Sequence, residues 1–408
     1  MNRKKGGFFW TLVGIVFLCI AFLCGGPALA AEAKNPIKIG YVSAFTGVMG
    51  ESSTRNLLAF RMAIEEANKT GGLAGRQVEI LVRDDKGSAA DHARLAKDLV
   101  YTDKVDLLTG APSSIGAMAA AQVAKEMKTP TLILSTGAEG PSIQRNRYLF
   151  RIIPHYKVQT GTMATFAIKK GWKKIALMNP DYAYGRVFSD DTKHWLAKAP
   201  GFEVKDDLYP KFGAVDYAPY ITKLLAIKDL DAILSGLWAG DVTAFLKQAK
   251  PYGLLDKVSL VIFIESPHLE AMGKDMPQGI YGFDHFFAWI PTKEAQKFAK
   301  SYYDYTGKYP AMDINGYCTA LAYIAAVRKA GTADREAVIN AMEGINFDSP
   351  TGRVTVRPFD HQATMRGVIG RTVFKPEYPE FAVLEDFYMP DAEQFLPTKE
   401  EIEKLKPF

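Results

Sequence analysis

The chain has 408 residues, of which 48 % are hydrophobic and 23 % charged, with 50 Lys and Arg set against 45 Asp and Glu. That hydrophobic share excludes a disordered chain, and the near-balance of charge, with no Lys/Arg run after Lys5, excludes a dedicated nucleic-acid binder. The length exceeds what one hydrophobic core usually holds, so two lobes are expected.

The N-terminus reads Met1-Asn-Arg-Lys-Lys5, then an apolar run from Phe8 to Leu23, then Ala28-Leu29-Ala30. A basic region, a hydrophobic region and small residues at a cleavage point, in that order, are expected to form an export signal over residues 1–30. A retained membrane anchor is the alternative, since the run is near the lower limit of roughly 17–25 residues for crossing a bilayer. The small residues at 28 and 30 favour cleavage. Phe22 and Leu23 before Cys24 speak against a lipid-modified cysteine, which follows small residues. Cleavage removes Arg3, Lys4 and Lys5 and so takes the formal net charge from +5 to +2; it also removes Cys19 and Cys24, leaving Cys318 alone. The exported protein is then nearly neutral, lacks disulfides and relies on its core. No later stretch is long and apolar enough to span a membrane.

From residue 36 onward, β-branched runs alternate with amphipathic patterns. Strands are predicted over 37–42, 78–82, 105–108 and 131–134, with helices over 54–68, 89–101 and 114–127 between them. Leu57, Leu58, Met62 and Ile64 lie on the apolar side of the first helix, and Gly71-Gly72 stops it. This βαβ order implies a parallel sheet. A second series repeats it, with helices over 157–170, 186–198, 217–226 and 241–250 and strands over 174–178, 202–208, 232–237 and 260–264. The segment 281–288 then leads into helices over 292–305 and 314–330, which return to the first lobe. Strands over 354–356 and 365–373 follow, and a Glu/Lys-rich solvated helix over 399–406 closes the chain. The expected organisation is lobe 1 over 36–155, lobe 2 over 156–285, a return to lobe 1 over 286–360, and lobe 2 strands with a C-terminal tail over 361–408. The fold class is α/β, with two Rossmann-like lobes joined by several strands and a cleft between them.

Catalytic patterns are missing. Pro112-Ser-Ser-Ile-Gly116 is one glycine short of a nucleophile elbow, and the six histidines show no metal-binding spacing. Gly47-Val-Met-Gly50 lacks the lysine of a phosphate loop, and Asp84-Asp85 reads as a solvated turn. No enzyme activity, metal or cofactor is expected.

The phrases "IKIGYVSAFTGVMG", "EEANKTGGLAGRQVEILVRDD", "ILSTGAEGPS", "NPDYAYG" and "VRPFDHQ" occur in that order. Over residues 36–375 the chain thereby resembles the periplasmic solute-binding proteins of branched-chain amino acid ABC importers. The resemblance implies a type I periplasmic-binding fold, monomeric, that closes on a small solute and delivers it to a membrane permease. It also singles out site residues. Ser113 or Ser114 caps the helix over 114–127, whose first-turn N–H groups favour an anion. A serine there ordinarily only caps its own helix; the family places a ligand contact at Ser114. Gly137 and Ala138 lack bulk, so their backbone can approach a ligand closely. In the family this segment meets the α-ammonium and α-carboxylate through backbone groups and a threonine hydroxyl, where this chain has Glu139. Tyr184 matches a tyrosine that closes over the ligand and otherwise packs on a neighbour. Trp238 and Glu265 follow the strands over 232–237 and 260–264, where parallel sheets bind ligands. The resemblance makes Glu265 a partner for an ammonium. Asp360-His361-Gln362 is expected to be a structural turn at the last crossing between lobes.

Two roles share this fold, a transport receptor and a ligand sensor that signals to a partner. Two ligand classes also stay open. One is an apolar or branched-chain amino acid with Glu139 turned aside; the other is a non-amino-acid amide or aromatic solute that Glu139 contacts.

Overall fold

The computed structural model describes residues 35–135 and 145–405. The expected export signal over residues 1–30 and the candidate site residues 137–139 lie outside them.

The first sheet runs in the order β2-β1-β3-β4-β5, with β1 (Ile37–Ser43), β2 (Val78–Asp84), β3 (Leu107–Gly110), β4 (Thr131–Ile133) and β5 (Leu149–Arg151) all parallel. Helices α1 (Gly50–Lys69), α2 (Ala89–Tyr101) and α3 (Ser114–Met127) make the crossovers. Continuous burial along β1 follows from helices covering both faces of a parallel sheet. At the end of β3, Gly110 has φ +117°, and a Cβ there would come within 2.0 Å of the Val42 carbonyl oxygen. Only glycine lets β3 end so close to β1.

Chain order continues with helix α4 (Tyr156–Lys170), β6 (Lys174–Met178), α5 (Ala183–Leu196), β7 (Glu203–Leu208), α6 (Ala218–Ala226), β8 (Ala232–Ser235), α7 (Gly240–Ala249), β9 (Ser259–Phe263), α8 (Ser266–Met272) and β10 (Tyr281–Asp284). After α9 (Lys293–Thr306), α10 (Ile314–Ala330), α11 (Arg335–Met342) and the hairpin β11 (Asn346–Ser349) to β12 (Gly352–Thr355), the chain adds β13 (Val368–Val373), β14 (Val383–Tyr388) and α12 (Lys399–Glu403). The second sheet reads β14-β13-β10-β9-β8-β6-β7; β13 and β14 join it antiparallel and the rest is parallel. Its core includes Phe188, Phe263 and Phe283, and each such buried ring stabilises the fold by about 1.5–3 kcal/mol.

The expected plan of two α/β lobes with parallel sheets is the one observed. Helices α9 and α10 pack on α1 of the first lobe. Close approach there depends on Gly316, where a Cβ would meet the Asn56 carbonyl oxygen at 2.0 Å; instead its N–H donates to Asn56 Oδ1 at 3.0 Å. The turn Asp360-His361-Gln362 clasps the outgoing strand β5. Arg151 N–H donates to the His361 carbonyl at 3.0 Å, Ala363 N–H to that of Arg151 at 2.9 Å, and Gln362 Nε2 to that of Ile153 at 2.8 Å. The His361 ring stacks on Phe150 with centroids 4.1 Å apart, and Arg357 pairs with Asp360 behind it.

One reading is corrected. Asp85 is not in a solvated turn; it is buried, with Oδ2 bonded to His92 Nδ1 at 2.7 Å. The strands β5, β11 and β14 and the helices α8 and α11 were not anticipated.

Candidate ligand-binding site

On the first sheet, the loop after β1 is fixed by Asp84. Its carboxylate accepts from Phe45 N–H at 3.0 Å, Lys86 N–H at 2.9 Å and the Thr46 hydroxyl at 3.2 Å. After β3 the chain turns through Ala111, a non-glycine residue with φ +56°. Such strain persists where surrounding structure imposes it, often at functional sites. Ser113 Oγ then accepts from Gly116 N–H at 3.1 Å, so Ser113 is the cap and half-buried Ser114 is the first residue of α3. The first-turn N–H groups beside Ser114 have no partner within the helix and carry its positive end.

On the second sheet, the ends of β6, β7 and β8 bring four aromatic rings together. Trp238 Nε1 donates to the Tyr182 hydroxyl at 2.8 Å, and its ring stacks on Phe212 with centroids 5.2 Å apart. Tyr182 meets Phe212 edge-on at 5.7 Å and stacks on Tyr184 at 5.8 Å. Each such pair contributes about 0.5–1.5 kcal/mol beyond area burial. Helix α5 starts three residues earlier than expected, so Tyr184 stands in its first turn rather than in a loop. Burial pushes the Tyr182 phenol up to about 12 and raises that of Tyr184 well above its ordinary value, so both stay protonated.

Glu265 follows β9 and is the N-cap of α8. Its N–H donates to His268 Nδ1 at 2.9 Å, which fixes the tautomer, and His268 Nε2 donates to the Ala239 carbonyl at 2.9 Å. Burial pulls the His268 imidazole down to about 4, so the ring is neutral. His268 thus ties the Glu265 cap to the strained residue after Trp238, Ala239 with φ +53°. The Glu265 side chain is half-buried, and its carboxyl is pushed up to about 7 by burial and by Asp313, against the pull of Arg55.

Arg55 on α1 reaches the same corner. Nε donates to Asp313 Oδ1 at 2.9 Å, and Nη2 donates to Asp313 Oδ2 at 2.7 Å and to the Tyr309 carbonyl at 2.8 Å. Its Nη1 is buried and has no partner among the described residues, a condition that costs about 1–3 kcal/mol. Fully buried Asp284 ends β10; Oδ1 accepts from His285 N–H at 2.6 Å, and Oδ2 has no partner among the described residues. Burial, then Glu265, raise its carboxyl well above the usual range. The lobes touch here, the Ser266 hydroxyl donating to the Pro310 carbonyl at 3.0 Å. Next door, His285 Nε2 meets Gln159 Nε2 at 3.0 Å and Nδ1 meets Asn315 Nδ2 at 2.9 Å, while Gln159 Oε1 accepts from the Tyr184 hydroxyl at 3.3 Å. Burial pulls this imidazole down to about 3. A neutral ring has one N–H, so one amide must present its oxygen, and the unpartnered Oδ1 of Asn315 identifies which.

The structure therefore joins Tyr184, Trp238 and Glu265 in one connected wall; Ser114 is not part of it and opens α3 past the first sheet. Tyr182, Phe212, His268, Arg55, Asp313 and Asp284 belong to this constellation and were missed. Tyr182 lies inside the phrase "NPDYAYG" and carried a signal; the others are contacts between distant segments. Among the described residues, no cluster of His, Cys, Asp and Glu has the makings of a metal site.

Two parallel-sheet lobes that place aromatic and acidic groups at their strand ends define a two-lobed solute binder. Residues 36–375 match the family model for the periplasmic binding proteins, and the chain belongs to that family. It is 24 % identical over 372 residues to a Leu/Ile/Val-binding protein homolog of Brucella melitensis, covering 87 % of this chain and 89 % of the relative. Two solved structures from Rhodopseudomonas palustris share the fold. One is an ABC-transporter solute-binding protein in complex with 3,4-dihydroxybenzoic acid, with TM-score 0.77, 24 % identity, and coverage of 88 % of this chain and 99 % of that one. The other is an ABC-type branched-chain amino acid transporter, with TM-score 0.73, 26 % identity, and coverage of 88 % and 97 %. By that family membership the chain is a periplasmic solute-binding protein, a binder and not an enzyme. Among the described residues no helix is long and apolar enough to cross a membrane.

Proposed function

We propose that the protein, exported by cleavage after Ala30, captures an apolar or aromatic amino acid between its lobes as a monomer and delivers it to an ABC importer. The ammonium sits on Glu265, the side chain lies against Tyr182, Tyr184, Phe212 and Trp238, and the carboxylate faces the start of α3 at Ser114. Gly137, Ala138 and Glu139, which the resemblance assigns to the ligand, belong to this proposal as candidates outside the described residues. The carrying observation is Glu265. Its carboxyl resists ionisation because burial and Asp313 outweigh Arg55, and a ligand cation supplies the charge that this corner lacks.

A second reading, an aromatic acid without an amine, is favoured by the same aromatic wall, since a protonated Glu265 can donate to a carboxylate. Mass spectrometry of the copurified solute, followed by calorimetry with L-leucine, L-phenylalanine, benzoate and 4-hydroxybenzoate, tests the proposal. Tighter binding of an amino acid supports it, and preference for a benzoate replaces it with the second reading. Transport rather than sensing is supported by the relatives' ABC-transporter membership.

A further inference from the structure

We infer that Arg55 is an anchor for the carboxylate of the bound solute, acting through Nη1 from the first lobe while Glu265 acts from the second. The inference rests on the solute reading above, and it holds for amino acids and aromatic acids alike because both carry a carboxylate.

The guanidinium is planar, and Asp313 occupies its Nε–Nη2 edge, so Nη1 projects from the opposite corner. That edge is clamped further by the Tyr309 carbonyl, and α1 is locked to α10 through Asn56 and Gly316. Arg55 is 4 % exposed, yet among the described residues Nη1 has no partner. A fixed, charged donor without an acceptor is built to receive an anionic oxygen. The neighbouring acids leave it free. Glu265 and Asp284 both lie within its electrostatic reach without forming an ion pair with it, and both are held toward the protonated form by burial. In an α-amino acid the ammonium and carboxylate share one carbon, so a solute seated on Glu265 presents its carboxylate to the same corner, where it also meets the start of α3. Nη1 is screened from solvent in this arrangement, so the solute reaches it when the lobes part at the Ser266–Pro310 contact.

The test pairs each acid with its analogue lacking the carboxylate: L-leucine with 3-methylbutylamine, L-phenylalanine with 2-phenylethylamine, benzoate with benzamide. Arg55→Lys keeps a cation beside Asp313 and removes the guanidinium fork with its Nη1. Calorimetry is expected to show wild-type protein preferring each carboxylate-bearing member at least tenfold. Arg55→Lys should weaken that member at least tenfold and leave its analogue within twofold. Equal losses for both members of a pair, or no loss, overturn the inference. Should Arg55→Lys not fold, wild-type protein labelled with 15N-arginine serves instead. A guanidinium N–H resonance protected by L-leucine or benzoate but not by the analogues supports the assignment, and its absence overturns it. If benzoate binds and amino acids do not, the amine part of the proposed function fails while the benzoate pair still decides Arg55. If none of the six probes binds, both fall.

Discussion

Asp84-Asp85 and Glu265 stand at corresponding places, at the ends of strands of the two sheets, and their surroundings differ. At the first corner every carboxylate is occupied: Asp84 by Phe45, Thr46 and Lys86, and Asp85 by Gly87 N–H at 2.9 Å and His92 at 2.7 Å. At the second, Arg55 Nη1 and Asp284 Oδ2 are buried without partners among the described residues, and Glu265 is held near neutrality by its setting. A satisfied cluster stabilises the lobe that contains it. An unsatisfied one trades stability for the ability to bind, so substitutions at the two corners should act on different observables.

His92→Ala gives the largest expected effect. It leaves the buried Asp85 carboxylate facing a void and should lower unfolding free energy by about 3–5 kcal/mol, with solute affinity unchanged within twofold. Denaturant titration and calorimetry check the two halves. A loss of affinity without a loss of stability would blur the distinction between corners.

Glu265→Gln should do the reverse. Affinity for an amine-bearing solute falls by about 2–5 kcal/mol, because the partner cation is left buried and unpaired. Ligand-free stability at pH 8 should not fall. The folded carboxyl lies at about 7 against an ordinary 4.5, so its stabilising contribution is complete below about 4.5 and is lost as pH rises through about 7. Above that pH the ionised wild-type residue weakens the fold, and glutamine removes the effect.

The same titration predicts how binding depends on pH. Only the ionised acid holds an ammonium well, so affinity for L-leucine or L-phenylalanine should drop about tenfold between pH 8 and pH 6. A benzoate should show the opposite slope. The smallest expected effect is at the aromatic wall. Tyr182→Phe removes the acceptor for Trp238 Nε1 and should weaken binding by about 1 kcal/mol, read by calorimetry or Trp fluorescence.

Much of the framework was legible in the sequence because periodicity is local. The apolar spacing placed α2, α3 and β6 within a residue, and the doubled α/β series foretold two sheets. Short or half-exposed elements escaped. Strand β5 has three residues, and α8 has seven with a proline in its first turn. At the site, Trp238 and Glu265 were visible as residues following predicted strands, and Ser114 as a residue opening a helix. Arg55 was not, because its meaning depends on Asp313, 258 positions away. Asp85 was misread for the same reason in miniature: its partner His92 lies seven residues on, across a turn and into a helix.

The central claim is that Glu265 releases its proton to solvent when a solute's ammonium binds it. Calorimetry of L-leucine or L-phenylalanine binding at pH 7, repeated in buffers of different ionisation enthalpy, counts protons exchanged on binding. With the carboxyl at about 7, roughly half a proton should be released per solute bound, and Glu265→Gln should release none. Proton uptake, or no exchange by the wild-type protein, would contradict the account.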